Sequence, residues 1–190
     1  MNPNLLPAEL SEYRKLITLN LKGNKSILGV NSEMELYFSG KEAIDSMYQS
    51  ISEATQHIHF QSYIIEDDFT GNRFKELLIR KASEGLEVRV LYDDVGCWNL
   101  SSAFKKDFSD VGIEFLAFSP VRWFLSPLSK LNYRNHRKIL VVDGKLGYLG
   151  GVNIADRYYN GGNFEEWRDT HIKITGESVE ALQSCFLLDR

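Results

Sequence analysis

Only two cysteines occur in the 190 residues, Cys97 and Cys185, far apart and in no CxxC spacing. No disulfide framework is therefore expected, and two reduced thiols are the default reading. No apolar run approaches the length of a bilayer-spanning helix. The opening MNPNLLPAELSEYRK also lacks the basic region and following apolar stretch of a signal peptide. A general excess of positive charge is missing too. The 22 Lys and Arg stand against 26 Asp and Glu, a net −4, which argues against a general nucleic-acid binder. One local absence says more. Between Phe115 and Val142 there is no acidic residue, yet Arg122, Lys130, Arg134, Arg137 and Lys138 all fall there. A positive region on an acidic protein suits an anionic ligand.

What is present reads as an alternation of strands and helices. Residues 7–17 suggest a leading helix and 34–40 a strand closed by glycine. Ile44, Met47, Tyr48 and Ile51 then recur at helical spacing in 41–55. The alternating HIHFQSYIIEDD (57–68) predicts a strand, 74–85 a helix with a glycine cap, 87–94 a strand, 102–112 a helix and 113–118 a strand. This order predicts an α/β fold: a mixed, largely parallel sheet flanked by helices on both faces. The rhythm breaks at 119–135, an irregular segment carrying Pro120 and Pro127, of the kind that is usually functional or mobile. Two short apolar runs joined at Asp143-Gly144 then predict a hairpin. A short helix over 153–160 with Asn153 as N-cap, a strand over 167–176 and a last helix follow. Residues 1–29 read as a leading helix and linker, and 30–190 as one domain.

The segment NHRKILVVDGKLGYLGGVN, residues 135–153, concentrates chemistry. Strand spacing puts His136 and Lys138 on one face. An imidazole beside an ammonium fits a phosphate, the first to attack or donate a proton and the second to hold an oxygen. Gly150 and Gly151 offer close backbone approach, and Asn153 offers an amide at a helix start. Asp143 is by default a turn residue. Two metal readings are weaker. His57 and His59 share a strand face without a third ligand at suitable spacing, and Asp93-Asp94 are better explained as capping a turn than as holding Mg²⁺.

Taken jointly, His136, Lys138, Asp143, Gly150, Gly151 and Asn153 have the spacing His-x-Lys, four residues, Asp, six residues, Gly-Gly-x-Asn. This resembles the signature of the phospholipase D superfamily. The flanks NYRNHRKILVVDGKLGYLGGVNIADRY, WRDTHIKITG, IHFQSYIIEDDFTG and GLEVRVLYDDVG resemble its bacterial cardiolipin synthase branch, over roughly residues 30–190. The resemblance implies a phosphatidyltransferase that needs no metal or cofactor. Two signature halves would share one site, the first histidine forming a phosphohistidine and the second protonating the leaving alcohol. Carried over, the catalytic set is His136, Lys138, Asp169 and Asn153. His136 is the nucleophile, Asp169 of WRDTH orients it, and Lys138, Asn153, Gly150 and Gly151 bind the phosphate. Asp143 is expected to be structural.

The implied partners are an anionic phospholipid (phosphatidylglycerol), the bacterial cell membrane through segments absent from this chain, and a second signature half. No nucleic acid is expected. Arg122, Trp123 and Phe124 suit either a lipid surface or packing on the domain's own core. A second His-x-Lys signature is missing. Either the chain is the first half of a longer enzyme, inactive alone, or it is a single-signature phosphodiesterase or nuclease that dimerises. The unfinished look of the Leu-Leu-Asp-Arg end favours the first.

Overall fold

A computed structural model describes residues 8–23, 28–29, 31–120 and 134–190. A 3-10 helix (Ala8–Tyr13) continues directly into α1 (Arg14–Gly23), none of whose residues is buried. The body follows as β1 (Ser32–Ser39), α2 (Gly40–Ser52), β2 (His57–Ser62), α3 (Phe69–Ser83), β3 (Glu87–Asp93), α4 (Ser102–Asp110) and β4 (Glu114–Phe118). After the segment 121–133 come β5 (Ile139–Val142), β6 (Leu146–Gly150), α5 (Asp156–Asn160), β7 (Arg168–Gly176) and α6 (Val179–Asp189).

The seven strands form one mixed sheet in the order β1-β7-β6-β5-β2-β3-β4. β2, β3 and β4 are parallel neighbours, and the other four pairings are antiparallel. Following these pairings across the sheet, β1, β2, β3, β4 and β6 all run one way, and only β5 and β7 oppose them. The strands are thus largely parallel in direction, even though most neighbours are not.

Both faces carry helices, although Met34, Leu36 and Phe38 of the edge strand β1 stay exposed. β5 is buried at all four positions because its alternate residues serve two cores. Leu140 and Val142 join Ile58, Phe60, Val88 and Val90 under α2, α3, α4 and α5. Ile139 and Val141 join Ile174 beneath Val179 and Leu182 of α6. The stacked rings of Phe108 and Phe115, 4.5 Å apart, close the main core at the β4 edge.

Two predicted elements are shorter than expected. The strand over 57–68 stops at Ser62, whose hydroxyl donates to the Ile64 carbonyl at 2.8 Å as the chain turns across the sheet edge. The helix over 153–160 starts at Asp156 with Ala155 as its N-cap, because Asn153 faces inward to other partners. The Asp143-Gly144 turn predicted between β5 and β6 is there, with positive φ at both residues, 55° and 64°, and the Val142–Leu146 pairing leaves residues 143–145 in the loop.

Candidate active site

Parallel strands deliver ligand sites at their carboxyl ends. β2 ends there at Ser62 and β3 at Asp93, and the segment entering β5 crosses the same edge with His136 and Lys138. The end of β6 and the start of β7 add Gly150, Gly151 and Asp169. His136 is exposed, and its ring lies nearly parallel to that of Tyr63, with centroids 3.9 Å apart and planes at 22°. Lys138 is half-buried. Its Nζ donates to the His136 carbonyl at 2.6 Å and stands 5.2 Å from the centre of the same Tyr63 ring. Burial lowers the Lys138 ammonium below its ordinary value, and the Asp169 charge opposes that shift. His136, Lys138 and Gly150 line one cleft of about 520 Å³ with Arg134, Leu149 and Phe118.

The segment around His136 is held by two carboxylates, one through its backbone and one through its side chains. Asp93, 1% exposed, accepts from Asn135 N at 3.1 Å and from Val95 N and Gly96 N at 3.0 Å each, and pairs with Arg134 at 3.5 Å. This is the turn-capping role expected of it. Asp189, at the end of α6, accepts from Asn135 Nδ2 at 2.7 Å, Gln61 Nε2 at 3.0 Å and Arg137 at 2.6 Å. Burial alone would raise its pKa, but these hydrogen bonds hold the carboxyl below its ordinary value. Asn135 and Arg137 are therefore fixed on either side of His136 while its ring stays on the cleft.

The two glycines make room for β7. A Cβ on Gly151 would fall 2.0 Å from Asp169 Oδ1, and one on Gly150 would fall 2.6 Å from both Cα and Nδ1 of His171. Gly151 N donates to the Thr170 carbonyl, and Asp169 Oδ1 accepts from Thr170 N at 2.7 Å. Asp169 thus sits against Gly151, and no hydrogen bond joins it to His136. His171 is 1% exposed, with neither ring nitrogen partnered among the described residues. Burial pushes its pKa down to about 4; Asp169 opposes this and Lys138 adds to it.

Asn153, 3% exposed, accepts from Ile64 N at 3.0 Å and donates to the Tyr158 hydroxyl at 2.8 Å. Asp143 lies at the opposite end of the hairpin. Its carboxylate accepts from Thr55 N and Oγ1, Gln56 N and His57 N at 2.8–3.0 Å, locking the hairpin to the start of β2. Burial would raise its pKa, and those hydrogen bonds bring it below the ordinary value. Arg122, Trp123 and Phe124 lie outside the described residues. His57 and His59 do share a face, but Gln183 of α6 reaches both, at 3.3 Å and 2.7 Å.

Sequence reasoning missed Tyr63, Asp189 and the support given by Asp93. An aromatic residue just past a strand end carries no local mark separating it from a core residue. The one available signal was its place at the carboxyl end of β2, opposite the His-x-Lys segment.

The mixed seven-stranded sheet that carries His136 and Lys138 at its carboxyl edge has the fold of phospholipase D family members. NucT from Helicobacter pylori superimposes with a TM-score of 0.63 at 18% identity, covering 84% of this chain and 96% of that one. Nuc, a phospholipase D family member from Salmonella typhimurium, gives 0.60 at 16% identity, covering 84% and 94%. The particular family follows from sequence: residues 47–181 match the model described as cardiolipin synthase, PLD-like domain, and the chain belongs to that family. It is 40% identical to a cardiolipin synthase of Oceanobacillus iheyensis over 95% of this chain, and 44% identical to one of Alkalihalophilus pseudofirmus over 92%. The chain spans 38% and 35% of the lengths of these two relatives.

Proposed function

We propose that this chain is one catalytic half of a cardiolipin synthase, transferring a phosphatidyl group from one phosphatidylglycerol to another. One ring nitrogen of His136 attacks the phosphorus and glycerol leaves, giving a phosphohistidine. The primary hydroxyl of a second phosphatidylglycerol then displaces the imidazole. The proton given to the leaving glycerol, and later taken from the acceptor, belongs to a second histidine contributed by another signature half. The observation that carries this reading is the exposed His136 imidazole, with Lys138 at its side on one cleft, in a chain of this family.

Lys138 suits the non-bridging phosphate oxygens. The phosphodiester anion beside it would favour the charged ammonium that burial disfavours. Gly150 lines the same cleft, and the amide hydrogen of Asn153 not given to Tyr158 is the part of that residue suited to a phosphate oxygen. Asp169 has the right chemistry to orient His136 once it swings from Thr170 N towards the ring. Asp143 is structural in this scheme. The bacterial cell membrane supplies the lipid; among the described residues no helix is long and apolar enough to cross it.

The test is conversion of labelled phosphatidylglycerol to cardiolipin by the full-length protein in anionic vesicles. His136→Ala should abolish turnover and the acid-labile phosphoenzyme, whereas His57→Ala should leave both. Cardiolipin formation unaffected by His136→Ala would overturn the proposal. A dimer of this chain alone that cleaves a phosphodiester would favour the single-signature alternative instead.

A further inference from the structure

A nucleophilic imidazole needs both ring nitrogens. One attacks, and the other must meet an acceptor that fixes the tautomer and steadies the developing charge. A hydrogen bond can orient such a ring only by occupying one of those nitrogens. A flat aromatic surface orients it while leaving both free in the ring plane. Tyr63 presents that surface to His136, with centroids 3.9 Å apart and planes at 22°.

We propose that Tyr63 is a positioning residue of His136, a rigid aromatic floor that sets the plane of the imidazole and leaves one nitrogen open to attack and the other open to its acceptor. This rests on His136 being the nucleophile.

The floor is worth little unless it is itself fixed, and the chain on both sides of Tyr63 is held from separate elements. A Cβ on Gly96 would fall 2.1 Å from the Tyr63 carbonyl oxygen, so the turn after β3 presses directly on its backbone. Cys97 donates from Sγ to that carbonyl at 3.5 Å and accepts from Ile65 N at 3.1 Å. Burial pushes this thiol up to about 12, so it keeps the proton needed for the first of these bonds. Ile64 N donates to Asn153 Oδ1, and the Ile64 carbonyl accepts from Ile154 N at 3.1 Å. Asp93 registers the two stacked rings. Its Oδ1 caps the turn that carries Gly96, and its Oδ2 holds Asn135 N, one residue before His136. The ring face also lies 5.2 Å from the Lys138 ammonium, so one aromatic surface sets the positions of both signature side chains.

Two measurements test this. The first needs no turnover. In this chain, labelled at histidine, the His136 ring protons should resonate upfield of exposed histidine values because they lie over the Tyr63 face. Tyr63→Phe should keep the shift, and Tyr63→Leu should abolish it while the His57 and His171 resonances stay put. The second uses the full-length protein in phosphatidylglycerol vesicles. Tyr63→Leu should lower kcat about 10²-fold with little change in KM, the scale of a reacting group displaced by about an ångström. Tyr63→Phe should restore kcat to within a few-fold. Wild-type His136 protons at exposed values would overturn the proposal without any variant, as would a Tyr63→Leu enzyme of unchanged kcat or a Tyr63→Phe enzyme as slow as the Leu form. An upfield shift that follows the aromatic ring, in a protein that makes no cardiolipin, would sink the transferase reading and leave the floor standing.

Discussion

Gly151 and Asp169 face each other so closely that a Cβ on the glycine would meet Asp169 Oδ1 at 2.0 Å and Oδ2 at 2.4 Å. The neighbouring glycine behaves differently, because the atoms a Gly150 Cβ would meet include the Thr170 carbonyl oxygen at 2.5 Å and His171 Cα at 2.6 Å. A carboxylate can rotate away; a strand backbone cannot. Gly150→Ala should therefore cost about 1–3 kcal/mol of stability by overpacking, measured by urea denaturation. Gly151→Ala should cost less, about 1 kcal/mol, because the Asp169 side chain, whose Cγ would lie 2.4 Å from the new Cβ, can swing away as a whole at the expense of its bond to Thr170 N. In the full-length enzyme the ranking should reverse per unit of lost stability, with Gly151→Ala losing more kcat because Asp169 has left its place. Equal stability losses for the two variants would refute the distinction.

Asp143 illustrates how a residue inside a catalytic signature can act at a distance from the chemistry. Its carboxylate accepts four hydrogen bonds from Thr55, Gln56 and His57, at the end of the sheet opposite His136. Asp143→Ala should destabilise the chain by about 2 kcal/mol, since three main-chain donors lose a charged acceptor. The contribution has a pH signature. The folded carboxyl lies below its ordinary 3.8, so its stabilisation is present above that value and is lost as pH falls through the lower, folded pKa. An Asp143→Ala variant with the wild-type urea midpoint at pH 7 would contradict this.

Much of the scaffold is legible in the sequence because its determinants are local. Helical spacing marks α2, alternation marks β2 and Asp143-Gly144 marks the β5–β6 turn. The pairing of β1 with β7 is not legible. Ser32 meets Gly176 and Tyr37 meets His171 across more than a hundred intervening residues, and no local pattern records such a register. The site divides in the same way. Fixed spacing brings His136, Lys138, Gly150, Gly151 and Asn153 to notice, whereas the contacts of Tyr63 and Asp189 with that segment exist only once β2 and α6 have packed. Its spacing predicts Asn153 as a helix cap, whereas inward hydrogen bonds to Ile64 and Tyr158 engage the side chain instead.

Burial of His171 should make the fold sensitive to acid. Its folded pKa is about 4 against an ordinary 6.5, so between those values the unfolded chain binds a proton that the folded one refuses. Stability should hold above about pH 6.5 and fall as pH drops towards 4, by about 3 kcal/mol over the full window. His171→Leu should flatten that slope, and it removes two ring nitrogens that have no partner among the described residues. His59, held below its ordinary value first by burial, adds a slope of the same sign that this variant leaves in place. Urea midpoints measured from pH 7.5 to 4 for both proteins decide the matter: parallel curves would exclude His171 as the source.

Asp189 ties the end of α6 to the histidine segment through Asn135 Nδ2 and Arg137, and to β2 through Gln61. Because Asn135 and Arg137 flank His136, loss of this carboxylate should let the loop drift while the sheet remains intact. Asp189→Asn keeps one acceptor oxygen but loses the charge facing Arg137, so it should be milder than Asp189→Ala. In the full-length enzyme, Asp189→Ala should lower kcat roughly 10–100-fold, the scale of a reacting group misplaced by up to about an ångström. Asp93 continues to hold Asn135 N, so the loop should not unfold. The effect should appear in kcat more than in KM, since the other residues lining the cleft stay in place. Hydrogen exchange should speed up at residues 135–137 and stay unchanged in β5. Faster exchange throughout β5 and α6 would mean that Asp189 supports the fold as a whole and not the placement of His136.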